Sequence, residues 1–214
     1  MKAVIVFTKV PERGNVKTRL QKRLPAYHVE EIYIAFLEDT LEKLRSYYPY
    51  VAYWPENKLQ ALWTLIGDRK FLAQRGKEMD EKILNVFTDF YRMGIKKTLV
   101  VNCDVPTLET KHVDEAFKLM EGNDIVIGPA HDGGFYLIGG AAVKKELFEG
   151  ATIGEPGAFE RIKSNAERLK LKVGLTPLLH DVDTPEDLDA VWSSGLLDKE
   201  GHTYKTLKKI LQKR

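Results

Sequence analysis

Two short segments rich in apolar residues constrain the fold of this chain more than any other feature. Residues 3–7 form a continuous apolar run, Ala-Val-Ile-Val-Phe, and residues 98–104, Thr-Leu-Val-Val-Asn-Cys-Asp, have the composition of a buried strand. A strand with one face in water alternates polar and apolar residues, whereas an unbroken run indicates a strand that is covered on both faces. Parallel sheets are covered in this way, so we expect both segments to lie within a mostly parallel sheet.

Helical patterns and further short strands alternate along the rest of the chain. Helices are predicted in residues 27–48, 58–66, 79–90, 113–120, 143–148 and 159–169. Strands are predicted in residues 50–54, 70–74, 124–128, 135–138 and 171–179. This alternation predicts an α/β fold in which a mostly parallel sheet lies between helices, a three-layer α/β/α arrangement.

Length and charge favour one domain that covers residues 1–214. The chain has 214 residues, of which 43% are hydrophobic, enough for one substantial core. Its 33 Lys and Arg residues against 31 Asp and Glu residues leave a net charge of +2, which argues against a general nucleic-acid binder. A short amphipathic helix at about 202–212 is expected to dock on the surface of this domain.

Cysteine use and apolar run lengths indicate the cellular compartment. Cys103 is the only cysteine, so no internal disulfide forms and a reducing cytoplasm is the expected location. The first apolar run is shorter than the core of a signal peptide, and no later segment has the length of a membrane span. We therefore expect a cytoplasmic protein without a membrane span, and no pattern specifies its oligomeric state.

A basic loop follows the first predicted strand. Pro11 and Gly14 interrupt regular structure there, and a helix is predicted to begin near Lys17. Residues 9–23 contain one acid, Glu12, and six cations, which are Lys9, Arg13, Lys17, Arg19, Lys22 and Arg23. Cations beside a helix N-terminus suit phosphate oxygens, but a solvated basic loop explains the charge equally well. Neither Gly-x-Gly-x-x-Gly nor the Walker pattern is present.

Asp104 ends the second predicted buried strand, residues 98–104. Ligands of open α/β sheets bind outside the carboxyl ends of the strands, and a carboxylate placed there suits Mg²⁺. The alternative is that Asp104 caps the helix predicted at 113–120, which Thr107 or Thr110 can do instead. Cys103 beside it is interpreted as a buried apolar side chain and not as a nucleophile.

A glycine turn separates the strands predicted at 124–128 and 135–138. Asp132 precedes Gly133 and Gly134, which can adopt positive φ and let a ligand approach the backbone. Asp-Gly is also a common turn sequence in which the carboxylate caps its own backbone, so the turn is either a site or an ordinary turn. His131 next to it has no partner that the sequence reveals.

Two aspartates lie between the last predicted strand and a well-capped helix. Thr184 is a favourable N-cap, with Pro185 at the first helical position and Asp187 at the third. The cap does not need Asp181 or Asp183. Asp183 is therefore predicted to be free to bind a metal.

Four segments, taken together, resemble the GT-A nucleotide-diphospho-sugar transferase superfamily and, within it, the DUF2064-type glycosyltransferases. They occupy residues 8–20, 102–108, 128–139 and 181–188, and the resemblance extends from residue 2 to about residue 192. It implies a Rossmann-like fold of the GT-A type. It also implies that a nucleotide lies on the basic loop, where these residues are expected to line its phosphates: Lys9, Arg13, Gly14, Lys17 and Arg19.

The resemblance implies a metal site as well. Asp104 corresponds to the last aspartate of the superfamily's Asp-x-Asp motif, which holds Mg²⁺ or Mn²⁺. Asn102 stands where the first acid of that motif would be, so the metal depends on a distant carboxylate, for which Asp183 is the candidate.

Two reactions and one binding role fit these residues. The first is metal-assisted transfer from a nucleotide sugar to a small-molecule acceptor, which Asp132 orients or deprotonates beside a pocket at Gly133 and Gly134. The second is nucleotidyl transfer from a nucleoside triphosphate to a phosphorylated small molecule. Residues 17–20 and 181–185 also resemble MobA-like and 2-phospholactate guanylyltransferase-like enzymes. The third is a nucleotide-binding regulator without turnover.

Overall fold

A single mixed sheet organises the computed structural model, which describes residues 1–141 and 143–211. The order of its seven strands is β3-β2-β1-β4-β6-β5-β7. These strands are β1 (Lys2–Lys9), β2 (Tyr50–Trp54), β3 (Lys70–Ala73), β4 (Lys97–Asn102), β5 (Ile125–Pro129), β6 (Phe135–Gly140) and β7 (Val173–Leu175). All neighbours are parallel except β6, which runs antiparallel to β4 and β5. The mostly parallel sheet is confirmed.

Helices cover both faces of this sheet. They are α1 (Ala26–Lys43), α2 (Leu59–Ile66), α3 (Met79–Arg92), α4 (Thr110–Leu119), α5 (Ala158–Arg168), α6 (Pro185–Ser193) and α7 (His202–Leu211). One apolar cluster joins a sheet face to α1, α2, α4, α6 and α7, and a second joins the opposite face to α3 and α5. The predicted three-layer α/β/α fold is therefore confirmed. Every residue from Val4 to Phe7 is buried, as expected for a strand that is covered on both faces.

Several predicted elements are shorter than expected. The helix predicted near Lys17 is a five-residue 3₁₀ helix, Thr18–Lys22, because Pro25 disfavours helical geometry in the residue before it. The helix predicted over 27–48 ends as α1 at Lys43, and Tyr48 has a left-handed φ of 47°. The strand predicted at 171–179 keeps only the three residues of β7, and Pro177 has no N–H to extend the ladder.

The cap of α4 also differs from the prediction. Glu109 is the N-cap residue, and its backbone N–H donates to His112 Nδ1 at 3.0 Å in a capping box. Asp104, Thr107 and Thr110 therefore do not fill this role, and Asp104 is left to face the end of the sheet. The cap predicted for α6 is present, with Thr184 at its N-terminus.

The last helix packs on α1. The carboxylate of Asp39 on α1 accepts from the backbone N–H groups of His202 and Thr203, at 2.7 and 2.8 Å. Trp192 stacks on Tyr204, with ring centroids 5.3 Å apart. Gln212, which the sequence analysis includes in this helix, lies outside the described residues. None of the described helices combines the length and the apolar character that crossing a membrane requires.

Candidate active site

A cleft of about 420 Å³ opens at the carboxyl ends of β1, β2 and β4. The strands are in register there, with Lys9 of β1 opposite Trp54 of β2 and Phe7 of β1 opposite Asn102 of β4. Charged side chains from remote parts of the chain line the cleft: Lys9, Lys17, Arg19, Lys82, Asp104, Asp132, Asp181 and Asp183. The topology therefore brings the basic loop, the end of β4 and the late aspartates to one place.

Lys17 joins the two predicted metal ligands. Its Nζ lies 2.6 Å from Asp104 Oδ2 and 3.5 Å from Asp183 Oδ1. Arg19 Nη1 lies 2.6 Å from Asp183 Oδ2 and extends the network toward solvent. Asp183 takes no part in the helix cap, but it is paired with two cations, and its role as a metal ligand stays a prediction. These ion pairs were not expected, because a contact between residues 166 positions apart leaves no trace in local sequence patterns.

Burial makes this ion pair stronger than a surface pair. The side chains of Lys17, Asp104 and Asp183 are 11%, 21% and 31% exposed, respectively. Burial alone would lower the pKa of the Lys17 ammonium, but the two carboxylates outweigh it and raise that pKa above its ordinary value. Lys17 also has a left-handed backbone, with φ of 42°, which is uncommon for a residue with a side chain. Such conformations concentrate at functional sites.

Asp181 is a cleft residue that the sequence analysis did not select. Val182 is fully buried, and its N–H donates to the Asp104 carbonyl at 2.9 Å, so both aspartates that flank it line the cleft. Burial, followed by the charges of Asp104 and Asp132, raises the pKa of Asp181 to about 7. The Asp-Val-Asp alternation around an apolar anchor was the signal that could have identified it.

The glycine turn contributes Asp132 and Gly134 to the cleft. Asp132 Oδ1 accepts from the Gly134 N–H at 2.7 Å, so the carboxylate caps the turn as well as facing the cleft. Gly133 has a φ of +85°, and a Cβ there would lie 3.0 Å from the Gly157 nitrogen. Gly133 is thus required by the turn and by its neighbour, and it lies outside the cleft lining.

Two residues of the basic loop also lie outside the lining. Arg13 is 69% exposed, and its Nε lies 3.4 Å from Glu30 Oε2. Gly14 provides a turn with φ of +82°. Lys9, in contrast, reaches the cleft, and its Nζ donates to the Asn15 carbonyl at 2.6 Å. The structure therefore separates the predicted phosphate-binding residues into Lys9, Lys17 and Arg19, which line one cleft, and Arg13 and Gly14, which lie outside its lining.

The interpretation of Cys103 as a buried apolar side chain agrees with the structure. Its Sγ lies 3.4 Å from Tyr33 Oη and 3.6 Å from Thr8 Oγ1, and burial raises the pKa of the thiol to about 11. A thiol with so high a pKa is a poor nucleophile at neutral pH. His131, which had no partner in the sequence, stacks on His180 with ring centroids 3.6 Å apart.

The carboxylates of Asp104 and Asp183 fit a divalent metal ion. Asp104 Oδ1 is buried and has no hydrogen-bond donor among the described residues, so an oxygen ligand is available. The described part of the chain contains no cluster of three or more His, Cys, Asp and Glu side chains that could hold a metal. Mg²⁺ is commonly held by one or two carboxylates together with substrate phosphates, which is the arrangement that these residues match.

Comparison with known proteins places this cleft in a transferase context. A family model described as "Uncharacterized protein conserved in bacteria (DUF2064)" matches residues 37–155. A 2-phospho-L-lactate guanylyltransferase from Methanocaldococcus jannaschii is 23% identical over 199 residues, which are 91% of this chain and 84% of that protein.

Two solved structures have the same fold. A protein from Desulfovibrio desulfuricans G20, provisionally described as a nucleotide-diphospho-sugar transferase, superposes with a TM-score of 0.92 at 26% identity. The match covers 99% of this chain and 96% of that one. Molybdopterin-guanine dinucleotide biosynthesis protein A from Archaeoglobus fulgidus has a TM-score of 0.54 at 15% identity, with coverage of 89% and 99%. The guanylyltransferase relative and the Desulfovibrio protein are both described as transferases, whereas the Archaeoglobus structure supports the fold alone.

Proposed function

This chain belongs to the DUF2064 family, and from its cleft we propose that it is a metal-dependent nucleotidyltransferase. It would join a nucleoside triphosphate to a phosphorylated small molecule and release pyrophosphate. The observation that carries the proposal is the position of Lys17 Nζ between Asp104 and Asp183 in one cleft with Arg19. Cations for a polyphosphate and carboxylates for a metal ion are thereby adjacent.

Each group in the cleft has a role in such a transfer. A phosphate oxygen of the acceptor would attack the α-phosphorus, and the bond from the α-phosphorus to the bridging oxygen of pyrophosphate would break. Lys17 and Arg19 would bind the charge that develops on pyrophosphate, since preorganised charge is usually the largest catalytic contribution. Asp104 and Asp183 would hold Mg²⁺ or Mn²⁺, and the bound cation supplies further neutralisation of the polyphosphate. Asp132 would orient the acceptor, because an ionised phosphate needs no general base.

Two observations favour nucleotidyl transfer over glycosyl transfer. Asn102 replaces the first acid of the Asp-x-Asp motif, and its Nδ2 instead donates to the Phe135 carbonyl at 3.3 Å. The guanylyltransferase relative aligns over 91% of this chain. Glycosyl transfer from a nucleotide sugar remains a second candidate, which the Desulfovibrio structure with its TM-score of 0.92 favours. In that reaction Asp132 would act as the general base toward an acceptor hydroxyl.

A product assay separates these reactions. The full chain is incubated with each nucleoside triphosphate, Mg²⁺ or Mn²⁺, and a panel of phosphorylated small acids, and pyrophosphate release is measured. Release that requires the acceptor supports the proposal. Release of a nucleoside diphosphate from nucleotide sugars alone would replace it with the second candidate. Nucleotide binding with no product from any donor would indicate a regulator.

The Asp104→Asn variant tests the metal role. It keeps the shape of the side chain but removes the carboxylate, so we expect turnover and metal-dependent nucleotide binding to be lost. Asp114→Asn, on the outer side of α4, is the matched control, and its turnover should equal that of the wild type. Activity at the wild-type level in Asp104→Asn would contradict the metal role.

A further inference from the structure

One lysine in the cleft is unexplained by the proposed reaction. Lys82 lies on the face of α3 that packs on the core, one turn before Val86 and two turns before Phe90. That position normally carries an apolar side chain, and only 8% of Lys82 is exposed. Buried lysines are rare unless an acid pairs with them. A charged side chain at this apolar position therefore requires a reason beyond packing.

Lys82 forms no salt bridge with a residue in the described ranges. Its Nζ lies over the Trp54 ring at 4.7 Å from the centroid, and Glu78, one helical turn before it, is the acid whose charge acts on it. Burial lowers the pKa of this ammonium, the charge of Glu78 opposes that shift, and the charge of Lys9 adds to it. A partly desolvated cation that lines a cleft and has no salt-bridge partner is stabilised by an anion that binds beside it.

Lys9 and Trp54 complete the surroundings of this cation. Lys9 Nζ lies 5.4 Å from the centroid of the same Trp54 ring, so two ammonium groups lie close to one indole. Trp54 ends β2, is 41% exposed and lines the cleft together with Lys9 and Lys82. The two lysines can donate to one phosphate or carboxylate, while the indole supplies a flat apolar surface.

This group lies away from the carboxylates. The sheet order places β1 between β2 and β4, and neighbouring strands are about 4.8 Å apart. The end of β2 is therefore on the order of 10 Å from the end of β4, where Asp104 follows. An anion beside Lys82 would lie in the same cleft as the polyphosphate but at a separate position.

We propose that Lys82 and Lys9, which both contact Trp54, form a second anion site that binds a phosphate or carboxylate group of the acceptor. Only the assignment of this anion to the acceptor rests on the proposed transferase function. The existence of the anion site rests on two ammonium groups beside Trp54 in the cleft, and on the lack of a salt bridge to Lys82 among the described residues. The acceptor class that follows is a small molecule with a second anionic group besides the phosphate that attacks.

Titration of the full chain with inorganic phosphate in EDTA tests the site. In Lys82→Met, which keeps the apolar stem, we expect phosphate affinity to fall about 10- to 100-fold, as for a lost hydrogen bond to a charged group. Lys82→Arg should retain binding. Lys77→Met, an exposed lysine just before α3, is the matched control and should bind as the wild type does. Unchanged phosphate affinity in Lys82→Met would overturn the site. So would the loss of all phosphate binding in Arg19→Met, a variant that keeps Lys82.

A second measurement assigns the anion. Affinity for GTP with Mn²⁺ should be equal in the wild type and Lys82→Met if the site serves the acceptor. An equal loss of GTP and phosphate affinity would assign the anion to the nucleotide and refute the acceptor assignment. A fall in melting temperature of Lys82→Met with unchanged phosphate affinity would show a structural role only. The phosphate titration needs no turnover, so failure of the transferase proposal and failure of this site give different results.

Discussion

The ammonium of Lys17 neutralises carboxylates that would otherwise repel each other, so its removal should destabilise the protein in a way that a metal ion reverses. Lys17→Met keeps the length of the side chain and leaves the left-handed backbone in place, so the variant changes mainly the charge. Asp104 and Asp183 then lose their shared cation, and Asp183 keeps only Arg19.

The size of the effect follows from the burial of the three side chains. Removing one partner of a fully buried ion pair costs about 3–5 kcal/mol. Because the three side chains are 11%, 21% and 31% exposed, we reduce this to about 2–3 kcal/mol for solvent screening. For a chain of this length, that free energy lowers the melting temperature by about 5–10 °C.

Thermal melting in EDTA and in Mn²⁺ measures both parts of the prediction. In EDTA, Lys17→Met should melt below the wild type by the amount above. Mn²⁺ should raise the melting temperature of the variant more than that of the wild type. In the variant, Mn²⁺ no longer competes with the Lys17 ammonium for the carboxylates of Asp104 and Asp183. Lys22→Met, at an exposed lysine in the same 3₁₀ helix, should melt as the wild type does. Equal melting of Lys17→Met and the wild type in EDTA, with equal Mn²⁺ shifts, would refute this account of the cleft.

Two further variants test the segment that carries the late aspartates. The folded protein holds the pKa of Asp181 at about 7, above the ordinary value of 3.8, so it binds a proton that the unfolded chain has released. The resulting stabilisation is present in full below the unfolded pKa of 3.8 and is lost as the pH rises to the folded pKa of about 7. Asp181→Asn should therefore gain melting temperature relative to the wild type as the pH rises from about 4 to about 7, and a constant difference over that range would contradict the raised pKa. Thr184→Ala removes the capping box of α6 and should cost about 1 kcal/mol, or about 2–4 °C, in thermal melting. Thr184→Ser keeps the hydroxyl and should recover most of the lost melting temperature. A Thr184→Ala protein that melts like the wild type would show that the cap is dispensable.

The fold was largely predictable because its signals are local. An unbroken apolar run such as residues 3–7 specifies a strand covered on both faces, and the amphipathic stripes specify the helices that cover it. The cap at Thr184 was also predictable, since capping involves residues within one helical turn. Element lengths were less accurate, because Pro25, Tyr48 and Pro177 end elements through backbone geometry that periodicity does not contain.

The sequence by itself determined that Asp104 lies at the carboxyl end of a central strand, just beyond its last residue, and that Lys17 lies in a basic loop. Only the tertiary structure decided that these residues touch, since they are 87 positions apart and meet because β1 and β4 are adjacent in the sheet. The same holds for Asp181, whose raised pKa depends on Asp104 and Asp132, and for Lys82, which local periodicity assigns to a helix stripe. Charge environment is the sum of contacts between distant segments, and the topology of the sheet sets those contacts.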